Sequence, residues 1–119
     1  MNTKKILLLT LSLFLLIGAI GCNNDTKDSL GIRGDITQII LGDDESVTGI
    51  LVEGKVESDT VYDKARVGIA KDTVILKTTG QELSPEDLKE GMKVEVVFQG
   101  AVAESYPVQG QAKAIRVVE

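Results

Sequence analysis

The chain has 119 residues, with 13 Lys and Arg against 18 Asp and Glu for a net charge of −5, one cysteine, no histidine, no tryptophan and 3% aromatics. That length holds one domain. Without histidine there is no Ser-His-Asp or Cys-His nucleophile system and no imidazole metal ligand. A single cysteine forms no internal disulfide, and the acidic balance argues against a surface that neutralises phosphates, so no nucleic acid is expected as a partner.

The first segment accounts for much of the apolar content. Lys4 and Lys5 precede an apolar run over 6–17 broken by Thr10 and Ser12, and Gly18-Ala19-Ile20-Gly21 brings small residues up to Cys22. A charged region, an apolar region and a small-residue zone in that order make an export signal, and the run is shorter than the roughly 20 residues of a membrane-spanning helix. Ala19-Ile20-Gly21-Cys22 resembles the bacterial lipobox. That resemblance implies a thioether-linked diacylglycerol on Cys22, which holds the chain at the extracytoplasmic face of the cell membrane. Residues 1–21 are therefore expected to be a lipoprotein signal peptide, 22–30 a polar lipid-proximal tether and 31–119 the folded domain. Removing Lys4 and Lys5 with the signal leaves 13 − 2 = 11 basic residues against 18 acidic ones.

From residue 31 the pattern is mostly that of strands. Residues 31–41 place Ile32, Gly34 and Ile36 on one face and then change phase to Ile39 and Leu41, as a bulge near Thr37 and Gln38 would require. Gly42-Asp43-Asp44-Glu45-Ser46 is a turn by composition. Residues 47–56 put Thr48, Ile50, Val52 and Val56 on one face, completing a hairpin. A polar loop leads to a third strand with Ala65, Val67 and Ile69 inward and a small extension over 73–76. Ser84 as N-cap, Pro85 at the first helical position, Glu86 and Asp87 in the first turn, and Gly91 after Glu90 signal a helix of two turns at most. Met92, Val94, Val96 and Phe98 then mark a fourth strand ended by Gly100. A fifth spans 112–118, with Ile115 and Val117 inward and Lys113 outward. Three strands, a short helix and two strands follow the order of the five-stranded OB-like β-barrel; another small barrel or a two-sheet sandwich is the runner-up.

Three blocks carry a family resemblance: Gly34 with Ile36; Ser84-Pro85-x-Asp87-Leu88-x-x-Gly91 with Val94 and Val96; and Gly100-x-Val102-x-Glu104-Ser105-Tyr106-Pro107-x-Gln109-x-x-Ala112. In these the chain resembles the YobA-like small bacterial lipoproteins, a domain class of unknown function. The resemblance implies a secreted, lipid-anchored single domain, and it implies no activity.

The last block holds the candidate site. Glu104, Ser105, Tyr106 and Gln109 place a carboxylate, a hydroxyl, a phenol and an amide around Pro107, which fixes the backbone between the last two strands. They either line a ligand or partner groove, or close the barrel end with Tyr106 as a plug. Ser105 as a nucleophile would need Lys113 as its base, and no serine-lysine spacing is present. Glu95 and Glu104 are the carboxylate pair for acid-base work, without a deep pocket expected. Asp43, Asp44 and Glu45 are weak candidates for metal ligands, lacking the Asp-x-Asp-x-Asp-Gly spacing of a calcium loop. The expected function is a lipid-anchored, non-catalytic binding module with no cofactor, contacting the membrane through Cys22 and an unknown envelope protein or small ligand. A weak cation or cationic-ligand binder is the alternative, and an enzyme is the least supported reading.

Overall fold

The computed structural model describes residues 29–119. The expected signal peptide, Cys22 and nearly all of the expected tether lie outside the described residues. Among the described residues no helix is long and apolar enough to cross a membrane.

Six strands form one mostly antiparallel sheet: β1 Leu30–Leu41, β2 Val47–Glu53, β3 Lys64–Gly68, β4 Val74–Lys77, β5 Lys93–Ala103 and β6 Val108–Val118. They are ordered β3-β2-β1-β5-β6-β4, and β3 also pairs with β6, so that β3, β2, β1, β5 and β6 form a closed ring of pairings. The β3–β6 and β4–β6 pairings are parallel, so β6 borders β5 on one side and β3 followed by β4 on the other. Closure of this kind satisfies backbone groups that an open sheet would leave at its edges.

Alternation sets the core. Ile32 and Ile36 of β1, Ile50 and Val52 of β2, Ala65 and Val67 of β3, Val94 and Val96 of β5, and Ile115 and Val117 of β6 are buried together. Branched residues at every second position suit a pleated surface packed on one face. The expected bulge is present: the β1–β2 register shifts between Ile36 and Gln38 and skips Thr37. Beyond it Ile39 still packs against the core, whereas Leu41 is exposed. At Gly34 a Cβ would lie 2.2 Å from the Glu53 carbonyl oxygen, and at Gly54 one would lie 2.1 Å from that of Arg33. β1 and the end of β2 can approach this closely only with hydrogen at both positions.

Several expectations change. Among the described residues there are six strands, because the extension of the third strand is β4, a separate strand. The Thr73 hydroxyl donates to the Ala112 carbonyl at 2.7 Å and turns the chain onto β6. β2 ends at Glu53, so Val56 lies beyond it and is exposed, and Thr48, inside the strand, is exposed as well.

The helix is a single 3-10 turn, Pro85–Asp87. Its start signals operate, since the Ser84 amide donates to Asp87 Oδ2 at 2.9 Å. Leu88 then leaves helical geometry at φ −74° and ψ 135°. Its side chain is buried at 2% exposure. Burying that leucine stabilises more than a second turn of a short, isolated helix would.

Gly100 does not end β5. At φ 71° it opens a bulge, and the strand resumes to pair Ala103 with Gln109. β6 likewise begins at Val108, so the long connection expected between the last two strands shrinks to residues 104–107 at the tip of a hairpin.

Candidate functional site

The β5–β6 hairpin carries the candidate loop outward. Glu104, Ser105, Tyr106 and Gln109 are exposed and Pro107 is half-buried. The Ser105 hydroxyl donates to the Pro107 carbonyl at 2.8 Å, across the cis Tyr106-Pro107 bond. Tyr106 is 72% exposed, and its hydroxyl donates to Asp63 Oδ2 at 3.4 Å. A ring this open is no plug.

The packing role expected of Tyr106 belongs to Phe98 and Tyr62, whose rings meet edge to face at 5.8 Å. Both pack against the core. Phe98 is held between two glycines, because a Cβ on Gly31 would lie 2.4 Å from its ring and one on Gly110 would lie 2.8 Å from it.

The hydroxyl of Ser105 is committed to the backbone at the tip. Lys113 instead lines a cleft beside Asp72 and Val74. Glu95 does not pair with Glu104, because its carboxylate lies between two arginines: Arg33 Nη2 at 2.7 Å and Arg116 Nη2 at 2.7 Å.

Arg33 is the centre of an ion-pair cluster that sequence reading did not find. Besides Glu95, its guanidinium meets both oxygens of Asp59, at 3.1 and 2.8 Å, and Glu57 Oε2 at 3.1 Å. The Arg33 side chain is 19% exposed and that of Glu95 is 11% exposed. The hydrogen bond from Arg33, more than its charge alone, holds the Asp59 carboxyl below the usual carboxylate range. The same bond to Asp59, then that to Glu95, raises Arg33 further above its ordinary value. The cluster fastens the connection between β2 and β3 to β1 and β5. Thr60 assists by accepting the Glu57 amide at 2.7 Å, and the Val61 and Tyr62 amides donate to the Gly31 carbonyl. Its three acids and two arginines answer one another and leave little charge for a ligand.

The acidic turn is occupied in a similar way. Asp44 Oδ1 accepts from the Ser46 hydroxyl at 2.6 Å and from the Ser46 amide at 3.2 Å, bonds that lower its carboxyl in that order. Glu45 stands at φ 64° in the same turn. Asp43 and Glu45 are exposed. Among the described residues no three His, Cys, Asp or Glu side chains gather in a way that could hold a metal ion.

A shallow cleft of about 340 Å3 lies beside the hairpin, between β2, β3 and the start of β6. Gln109 belongs to it, joined by Arg66 and Gln111, with Gly49, Gly68 and Gly110 along its lining. Gln109 is the residue common to the cleft and the predicted loop; the others carry no motif that sequence reading could have singled out.

Comparison with known proteins bears on the whole of this surface. A family model described as "Protein of unknown function (DUF3221)" matches residues 41–119, a span that includes the hairpin tip and, but for Ile40, the lining of the cleft. A "Protease inhibitor" of Brevibacillus choshinensis is 34% identical over 94 residues, which cover 78% of this chain and 28% of that protein. The chain thus spans less than a third of the relative's length. No solved structure matches. On the family match, the chain belongs to the DUF3221 family of proteins of unknown function.

Proposed function

We propose that the domain is a non-catalytic binding module, held outside the cytoplasm by a diacylglycerol on Cys22, whose partner is a protein met by the tip of the β5–β6 hairpin. The observation that carries this reading is Tyr106, a 72% exposed aromatic on a tip whose backbone is tied by the Ser105 hydroxyl. Aromatic side chains supply large contact area at low entropic cost and are enriched where proteins meet. Anchoring draws its support from the order of charge, apolar run, small residues and cysteine over 1–22. The ring of five pairings, four antiparallel and one, β3 with β6, parallel, supports the OB-like barrel as the rigid scaffold beneath. The motif around Glu104, Tyr106 and Gln109 supports kinship with the YobA-like lipoproteins.

The name of the Brevibacillus relative supports a peptidase as the kind of protein bound. A stiff, exposed loop suits that class, in which the interface moves little on binding. The alternative, a weak cation or cationic-ligand binder at residues 43–45, has less support because Asp44 already serves Ser46.

The test is inhibition of a panel of serine, cysteine and metallo-endopeptidases by the full-length chain. The expected result is saturable inhibition of at least one, weakened about tenfold or more by Tyr106→Ala. A blank panel removes the peptidase, and inhibition indifferent to Tyr106 removes the tip. Mass spectrometry of the cell-derived N-terminus tests the anchor, which an unmodified Cys22 would contradict.

A further inference from the structure

The outward face of the sheet carries an apolar patch where the pleat calls for polar residues. Ile75, Val96 and Ile115 point inward and are buried, so their neighbours Val74, Val97 and Ala114 point outward. Those three stand in register with Leu30: Val74 pairs with Ala114, Ala114 with Val97, and Val97 with Leu30. The row crosses β4, β6, β5 and β1, about 14 Å at the usual strand spacing. Leu76 widens it, and the five side chains line a cleft of about 410 Å3. Val74 is 46% exposed. A contiguous outward patch of this kind marks a contact with an apolar surface.

Two observations identify that surface. Leu30 is the first apolar residue after Cys22 and stands eight positions along the chain from it. An extended chain spans at most about 3.5 Å per residue, so the end of the row lies within about 28 Å of the Cys22 backbone. A tether this short holds the patch beside the bilayer at an effective concentration on the order of millimolar, and the small attraction of one row is then enough. Charge points the same way. Lys77 and Arg116 line the cleft against Glu95, and Glu119 meets Lys77 at 3.1 Å. Two cations and two acids balance here, in a chain with 11 basic and 18 acidic residues beyond Cys22. A bilayer containing anionic lipid repels an acidic surface, so a balanced apolar face is the one turned toward it. Arg116, its side chain 58% exposed, stands beside the row as a donor for a headgroup phosphate.

We infer that the row Leu30, Val97, Ala114 and Val74 lies against the outer leaflet of the membrane to which Cys22 anchors the chain, which fixes how the domain is oriented there. The inference rests on the anchor proposed above and is independent of what the hairpin tip binds.

The chain has no tryptophan, so a single introduced one reports its own surroundings. The full-length chain carrying Val74→Trp is expressed in bacteria, recovered after processing and reconstituted into vesicles of phosphatidylglycerol and acyl-brominated phosphatidylcholine. Its emission should shift to the blue and be quenched about twofold or more beyond that of Leu41→Trp, a position 56% exposed at the other end of β1. Thr78→Trp, at an exposed position in the lining of the same cleft, should also be quenched and should lose that quenching on adding Val74→Glu, with the melting temperature unchanged. Quenching at Val74→Trp no greater than at Leu41→Trp, or quenching at Thr78→Trp that ignores Val74→Glu, overturns the inference. A blue shift without quenching assigns the patch to a second copy or to the chain's own acyl groups and overturns it as well. A chain that floats with the vesicles yet shows no quenching fails this inference alone. One that leaves the vesicles, with Cys22 unmodified by mass spectrometry, fails the anchor and this inference together.

Discussion

The cradle around Phe98 permits a prediction in which the sign of an effect reverses. In Gly31→Ala the new methyl would lie 2.4 Å from Phe98 Cδ2 and 2.5 Å from Cε2. Carbon atoms rest at about 3.5–4.0 Å, so the overlap exceeds an ångström. The ring has no retreat: a Gly110 Cβ would already lie 2.8 Å from its other edge, and Tyr62 stands against it. Overpacking of this kind costs about 1–3 kcal/mol. Against it stands a gain of about 0.4–1 kcal/mol from restricting the unfolded chain, because Gly31 is not at positive φ. The net expectation is a loss centred on about 1 kcal/mol, a sizeable part of the roughly 5–10 kcal/mol of a small domain. In a Phe98→Ala background the ring is gone, and Gly31→Ala should be neutral or stabilising by a few tenths of a kcal/mol, with a coupling of about 1–3 kcal/mol. Urea unfolding of the four proteins, followed by far-ultraviolet circular dichroism because the chain has no tryptophan, reads each value. Equal costs of Gly31→Ala in the two backgrounds would refute the cradle.

Leu88→Ala should cost about 3 kcal/mol in the same assay, since the side chain is 2% exposed at the exit of the 3-10 turn; a cost below about 1 kcal/mol would show that the turn is not anchored there. Asp59, held below its unfolded value by Arg33, contributes stability that is present above about pH 4 and is lost as pH falls through the folded value. The melting-temperature gap between wild type and Asp59→Asn should therefore be open at pH 7 and close on acidification, and a gap unchanged down to pH 2 contradicts the pair. Millimolar calcium, magnesium or a polyamine should leave the melting temperature unmoved; an increase abolished by Asp43→Asn with Glu45→Gln would instead favour the cation-binding alternative.

Local pattern disclosed what local physics governs. The bulge at Thr37, the turn at 42–46, the inward faces through Val67, Val94, Val96, Ile115 and Val117, and the Ser84-Pro85 start all follow from period and residue type. Partners far apart in the chain left no such trace. Arg33 meets Glu57, Asp59 and Glu95 at sequence separations of 24, 26 and 62, and no spacing rule joins them. Parallel pairing of β6 with β3 and β4 is equally non-local, which is why β6 looked shorter and β4 looked like an appendage. Gly100 was ambiguous for a physical reason, because glycine serves strand ends and bulges alike, and only the renewed pairing of Ala103 with Gln109 separates the two. Tyr106 and Tyr62 are both amphipathic rings near turns, and only the tertiary contact with Phe98 shows which of them is packed.

The reading of the hairpin tip as a recognition element is tested most directly by comparing partner capture from bacterial envelope extract by wild type and by a Glu104→Gln, Tyr106→Ala double variant, with melting temperatures taken on the same samples. Exposed positions outside the core should shift the melting temperature by no more than about 3 °C. Loss of the captured protein with the fold intact is the expected result. Capture that survives the double substitution, or a melting temperature that collapses with it, would contradict the assignment of the tip as the contact surface.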